Sequence, residues 1–200
     1  MEDQCRAIGK LYTEGKFERF GVSNISDAEV QTIYDICKRE SYPVPSVYQG
    51  GYNPINRGSE ATLLPLLRKL NMSYYAYSPL AGGLLAKKLD EILKPAPGTR
   101  FDAMQVFRDI YLKDSTLESL AGLKKKCDDE DTSVMEGTVR WLLHHSPLAE
   151  NDGVILGASS LQQVDSSLSA SEKGPLTDGL AQAFEDLWAA VKVDAPKYYV

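Results

Sequence analysis

Histidine is nearly missing from this chain: two occur in 200 residues, His144 and His145, side by side. Neighbours on a helix project to different faces, so they do not form the i, i+4 pair of a helical metal site and read as surface or helix-end residues. Cysteine is scarce as well. Cys5, Cys37 and Cys127 are odd in number, far apart and without a C-x-x-C, which argues against a disulfide framework or zinc site and for a reducing compartment. No apolar run approaches the roughly 18 residues of a membrane helix, and Met1–Arg6 lacks a signal peptide's apolar core. Membrane is thereby set aside as a partner, and a cytoplasmic location is expected. Net charge is −6, so nothing electrostatic favours nucleic acid or anionic lipid. The one basic run, Lys124-Lys125-Lys126, is cancelled by Asp128, Asp129, Glu130 and Asp131 and reads as a solvated helix end.

What is present is ordinary for a soluble globular protein: 43% apolar and 25% charged residues, enough for a sizeable core in a single domain over residues 1–200. The chain opens in an amphipathic helix with Cys5, Ile8, Leu11 and Tyr12 on its apolar stripe and Gly15 as its stop. A short strand is expected over Phe17–Val22. Ser26 and Glu29 then form a capping box for a helix that buries Val30, Ile33, Ile36 and Cys37. Val47-Tyr48-Gln49 is a second strand, with Gly50–Pro54 as a loop, and Ser59 is placed to cap a helix through Leu70. The aromatic run Tyr74–Tyr77 is a third strand, stopped by Ser78-Pro79 and opened into a loop by Gly82-Gly83. Helical patterns follow at about 102–113 and 115–127, and Ser133 with Glu136 caps another helix. Val154-Ile155-Leu156 is a fourth strand, and two helices, Leu161 to Ala170 and Thr177 to Lys192, close the chain.

Four strands alternating with helices imply a parallel sheet with right-handed crossovers, either an open doubly wound sheet or part of a (β/α) barrel. No G-x-G-x-x-G follows the first strand, which weakens a dinucleotide-binding Rossmann reading. A complete barrel has eight strands, and this chain has half of them. Such a half-barrel leaves two open parallel edges, so a homo-oligomer or a partner chain is expected to cover them. The strand ends are Ser23-Asn24, Gln49, Ser78 and Gly157-Ala158-Ser159-Ser160, amide, hydroxyl and glycine throughout. That set suits a neutral amide and a phosphate rather than proton transfer. A helix start after Ser160 adds free N–H groups for an anion, although either serine can equally be a simple N-cap.

Phe20–Asn24, Val47–Asn53, Tyr75–Leu85 and Ile155–Leu161 together resemble the C-terminal half of an aldo-keto reductase, of the aflatoxin aldehyde reductase branch, across essentially the whole chain. The resemblance selects the partial TIM barrel over the open sheet. It implies that Ser23, Asn24 and Gln49 hold a nicotinamide carboxamide and that Tyr77 stacks on the ring. Ser78, Leu80 and Gly82, with Lys88 as a weaker candidate, would line the pyrophosphate path. Gly157, Ser159, Ser160 and Gln163 would hold the adenosine 2′-phosphate end, which implies NADP(H) as cofactor. Arg100 would lie at the mouth for a small-molecule carbonyl substrate. Ser167 stands where the family usually has an asparagine facing adenine, which weakens the expected grip on that base. The family's tyrosine, lysine, aspartate and histidine have no counterpart by motif, so no catalytic residue and no metal ligand is assigned. Activity alone is therefore expected to be weak or absent. Two other roles stay open: a non-catalytic cofactor- or partner-binding module, and a homodimeric half-barrel with a non-redox activity, for whose new pocket Tyr52, Asn53, Arg57 and Tyr77 are candidates beside a plain surface role.

Overall fold

The computed structural model describes residues 1–199. Its sheet has four parallel strands in the order β1 (Gly21–Ser23), β2 (Val47–Gly51), β3 (Ser73–Tyr77) and β4 (Gly153–Val154), open at both edges. This is the topology of a partial TIM barrel: each strand lies beside the one before it and returns through helix. Helices α1 (Glu2–Thr13), α2 (Asp27–Arg39) and α3 (Leu63–Lys69) lie around the first three strands. The excursion between β3 and β4 carries α4 (Leu89–Leu93), α5 (Arg100–Ala103), α6 (Gln105–Tyr111), α7 (Asp114–Asp129) and α8 (Val134–His144), and α9 (Leu161–Ser171) and α10 (Asp178–Val191) follow β4.

Several boundaries differ from the sequence pattern. The first strand is Gly21–Ser23, because the stretch after Phe17 meets the sheet only at Phe20, whose carbonyl accepts from Ser46 N at 2.9 Å. Gly50 and Gly51 are strand rather than loop, paired with Ala76 and Tyr77. β4 stops at Val154, although Ile155 N still donates to Ala76 O at 2.8 Å. Ser59 caps nothing: it is buried in a 3₁₀ turn, Gly58–Glu60, and α3 begins after Thr62 with Pro65 in its first turn, where no N–H is needed. The helical stretch near 102–113 is broken at Met104, whose extended backbone separates α5 from α6. On α1, Cys5 and Gly9 face inward while Leu11 and Tyr12 are exposed.

The two capping boxes also differ. At Ser26 both arms form, Glu29 N to Ser26 Oγ and Ser26 N to Glu29 Oε2. At Ser133 only the serine arm is made, and Glu136 turns to Arg140 and Lys173.

One sheet face is packed. Tyr48, Tyr74 and Ala76 are fully buried against α2, α3, α8 and α10 residues such as Val30, Leu67, Trp141 and Phe184. Rings continue from Tyr48 and Tyr74, stacked at 5.7 Å, through Tyr52 to Trp141 and Phe184. Tyr52, Asn53 and Arg57, candidate pocket or surface residues by sequence, are interior instead. Arg57 sits over the Trp141 ring at 4.8 Å and pairs with Glu60 and Glu185. At the amino end of the sheet, the buried Asp152 carboxylate accepts from Arg68, Tyr74 N and Ala149 N, which fastens β4 to β3.

Candidate functional site at the strand tips

Register decides which residues share the uncovered face. Ser23, Gln49, Tyr75 and Gly153 are Cα partners in one row across the sheet, and Gly51 and Tyr77 form the next row toward the carboxyl end. Side chains alternate along a strand, so these rows face opposite to Tyr48 and Tyr74. Ser23 and Gln49 are exposed there, and Tyr75 and Tyr77 half-buried. Gly51 makes room for the Tyr77 ring: a Cβ at Gly51 would lie 3.3 Å from Tyr77 Cε2. The Tyr77 hydroxyl reaches past β2 and donates to Asn24 Oδ1 at 2.8 Å. Two side chains 53 residues apart are thereby tied at one edge of the tips, and the bond leaves the Asn24 NH₂ donors unused.

The tips are also where the backbone is unusual. Asn24, Ser78 and Ala81 have φ of 55°, 52° and 49°, and Gly82 and Gly83 have 70° and 111°. Left-handed backbone at non-glycine residues costs of order 1 kcal/mol or more each and persists where neighbours fix it. At Ser78 the neighbour is Asn53, fully buried, whose Nδ2 donates to Ser78 O at 2.9 Å while its Oδ1 accepts from Ile55 N at 3.1 Å. At Gly82 it is Phe107, whose Cδ1 lies 2.6 Å from where a Cβ would be. The Arg100 guanidinium stands over the Phe107 ring at 5.2 Å, so Arg100 and the glycine loop do meet. Phe107 did not stand out in the sequence, and Asn53 did so only as a candidate pocket residue, not as a clamp on Ser78. The signal for Asn53 was its place between a Gly-Gly pair and Pro54.

Other candidates are placed differently. Leu80 packs its side chain on the core, and only its carbonyl serves the loop, accepting from Gly83 N at 2.8 Å. Lys88 is exposed at the start of α4, whereas Lys87 runs its stem beside Gly83, 3.9 Å from a Cβ there. Gly157, Ser159, Ser160 and Gln163 are exposed after β4. Ser160 is the N-cap of α9, accepting from Gln163 N at 3.3 Å, and Gln163 Oε1 closes back on Ser159 N and Oγ at 2.9 and 3.1 Å. The simple capping role is thus realised, with both serines and the glutamine in one exposed cluster at a helix start. Ser167 does not join them: it is buried with Ala170 on α9, which packs on α8.

The donor set matches the groups a dinucleotide offers. Hydroxyl and amide side chains at the β1 and β2 tips suit a carboxamide, the φ-positive glycine loop allows close backbone approach, and the α9 start suits an anion. Proton transfer finds less support. Burial pushes the Tyr48, Tyr52, Tyr74 and Tyr111 phenols upward in pKa, so they stay protonated and committed to internal bonds. Among the described residues, no tyrosine hydroxyl is hydrogen-bonded to a lysine, and no cluster of three metal-ligating side chains occurs. His144 and His145 sit at the end of α8, where His144 meets Lys173 O and His145 Nε2 accepts from Leu176 N at 2.8 Å. No described helix is long and apolar enough to cross a membrane.

Known proteins share this arrangement of sequence. An aldo-keto reductase of Pseudocercospora fijiensis is 36% identical over 203 residues, covering 98% of this chain and 69% of the relative. Human aldo-keto reductase family 7 member A3 is 38% identical over 210 residues, covering 100% of the chain and 63% of the relative. Rat aflatoxin B1 aldehyde reductase member 2 is 38% identical over 208 residues, covering 98% and 57%. The chain therefore spans between 57% and 69% of the length of these relatives. The sequence model of the aldo/keto reductase family matches residues 1–189, which include all four strands and every tip residue described above. Taken with the parallel sheet and its polar strand ends, that match places the chain in the aldo/keto reductase family.

Proposed function

We propose that this chain is the NADP(H)-gripping part of an aldehyde or ketone reductase. The observation that carries the proposal is the register of Ser23 with Gln49 and the bond from Tyr77 to Asn24, which gather amide, hydroxyl and ring at adjacent strand tips. Ser23, Asn24 and Gln49 hold the carboxamide, and the Tyr77 ring supports the nicotinamide plane. The loop Ser78–Gly83 lies along the pyrophosphate, with Lys87 a better-placed cation than Lys88. Ser159, Ser160 and Gln163 at the α9 start take the 2′-phosphate, Gln163 releasing Ser159 to do so. A bound NADPH supplies the hydride for a carbonyl carbon. Arg100, held against Phe107, faces the incoming carbonyl substrate; relatives named for aflatoxin B1 aldehyde reduction support an aldehyde.

The same placement makes the chain weak or silent as a catalyst by itself. Its buried tyrosines cannot protonate a developing alkoxide, and a general acid is worth roughly 10²- to 10⁴-fold in rate. A second copy, a partner chain or a further polypeptide segment would cover the uncovered sheet face, the β1 and β4 edges, and an exposed stripe on α9 formed by Leu161, Val164 and Leu168. The acidic, cysteine-poor composition supports a cytoplasmic setting. The test is NADPH fluorescence titration of the purified chain, with steady-state reduction of a carboxyl-substituted aromatic aldehyde and native mass measured alongside. Binding with little turnover is expected. Rapid turnover by a monomer overturns the incomplete-catalyst part, and absence of NADPH binding at millimolar concentration overturns the grip. A dimer that ignores nucleotide favours the non-redox half-barrel instead.

A further inference from the structure

Two of the cysteines meet in space. Cys5 on α1 and Cys37 on α2 are both buried, at 2% and 0% exposure, and with Ile36 they form a small cluster separate from the main core. Phe20, Ile33 and Tyr42 close around it. Cys127 is buried elsewhere, in the main core. We infer that Cys5 and Cys37 are a disulfide-forming pair, a covalent staple that oxidation closes between α1 and α2. Burial pushes the Cys37 thiol up to about 12, and the nearby Cys5 adds to the rise. The closed fold therefore protects the pair, and reaction waits on local opening.

The structure makes that opening local. The principal partner of α1 is α2, and the cysteine cluster is its main apolar attachment. A surface concavity of about 350 Å³ opens beside α1, lined by Arg6, Lys10, Thr13, Glu40, Ser41 and Pro43, although Gly9 packs closely on the Tyr42 ring. With α1 lifted, a small-molecule disulfide such as oxidised glutathione supplies the electron acceptor. One protein thiolate attacks it, forming a mixed disulfide and releasing one glutathione thiolate. The second protein thiolate then attacks the protein-side sulfur, forming the Cys5–Cys37 bond and releasing the second glutathione. The protein loses two thiol protons and two electrons, and the oxidant becomes two thiols.

The experiment oxidises the folded chain with oxidised glutathione, blocks free thiols with iodoacetamide under denaturing conditions, and maps peptides without reductant. The expected product is one linked peptide pair containing Cys5 and Cys37, about 2 Da lighter than the two free thiol peptides together, with Cys127 alkylated. Hydrogen exchange in residues 2–13 is expected to slow on the order of 10²-fold, because the bond closes a loop across both helices. Cys127→Ser is expected to keep the link and Cys5→Ala to abolish it; where Cys5→Ala does not fold, the wild-type map decides. Separate alkylation of Cys5 and Cys37, a stable glutathione adduct on either, or a link through Cys127 overturns the assignment.

Discussion

Asn53→Ala tests whether a buried amide holds the site's shape. Asn53 has no exposed surface, donates to Ser78 O at 2.9 Å and accepts from Ile55 N at 3.1 Å. Truncation removes both bonds. Ser78 O keeps a second donor, Ala81 N at 3.0 Å, but Ile55 N is left buried without its acceptor. One lost bond at about 1 kcal/mol and one stranded donor at about 1–3 kcal/mol give a destabilisation of about 2–4 kcal/mol. Urea unfolding followed by tryptophan fluorescence should show the midpoint falling by roughly 1–2 M at unchanged slope, for a slope near 2 kcal/mol/M. NADPH affinity should fall too, since Ser78 is kept at φ 52° by this clamp. Asn53→Leu is the control, because it refills the volume without restoring either bond. Wild-type stability in Asn53→Leu would refute the reasoning, since packing rather than hydrogen bonding would then hold the turn.

Tyr77→Phe deletes the donor to Asn24 but keeps the ring; loss of about 1 kcal/mol predicts roughly five-fold weaker NADPH binding, with Tyr77→Ala weaker still. Equal affinity in all three proteins, measured by fluorescence titration, would remove Tyr77 from the cofactor site. Gly82→Ala combines a φ of 70° with a Cβ placed 2.6 Å from Phe107 Cδ1, so thermal unfolding should report a loss of about 1–3 kcal/mol. Phe107→Leu in the same chain should restore part of it, and a strictly additive double mutant would discount the clash. His145 provides a pH dependence. Burial first, and then the neighbouring His144 and Arg140, depress its pKa below 6.5, and its Nε2 accepts from Leu176 N only when unprotonated. Its folded pKa lies below its unfolded one, so its contribution is complete above pH 6.5 and is lost as pH falls toward the folded pKa. Melting temperatures between pH 7.5 and 5 should show that slope in the wild type and a shallower one in His145→Gln, whose amide oxygen accepts without titrating.

Much of the fold was legible because punctuation and periodicity agreed. Ser26 with Glu29 marked α2 by a box that both partners complete, and Ser78-Pro79 ended β3 where the sheet ends it. Boundaries failed where side chains compete with pattern. Gly50-Gly51 reads as a turn by composition, yet tight approach of Tyr74 and Tyr77 to those glycines makes them strand. Ser59 looks like a cap, but Arg57 and Glu60 pull its segment into a buried 3₁₀ turn. Ser23, Asn24 and Tyr77 close or follow strands as the sequence reads them, whereas Gln49, read as a strand end, lies inside β2 in register with Ser23. Phe107, Lys87 and the clamping role of Asn53 were not legible, since each reaches the tips through tertiary packing that no local spacing announces.

On the proposed function, the two sheet faces give the chain a cofactor grip without an internal proton donor. The covered face is completed from within: Tyr48, Tyr52 and Tyr74 spend their hydroxyls on Ile25 O, Glu60 and Gly51 O. Those bonds, and the burial that raises the phenol pKa values, remove three tyrosines from any reaction. The uncovered face keeps two half-buried tyrosines, Tyr75 and Tyr77, and the Tyr77 hydroxyl proton, at the carboxyl end, is already directed at Asn24. On that proposal, moving that proton to a substrate would break the contact that positions Asn24 for a carboxamide. On the proposed function, a proton donor for carbonyl reduction reaches these tips from a polypeptide segment over the uncovered face, and a chain that acquires one there should gain turnover without gaining NADPH affinity.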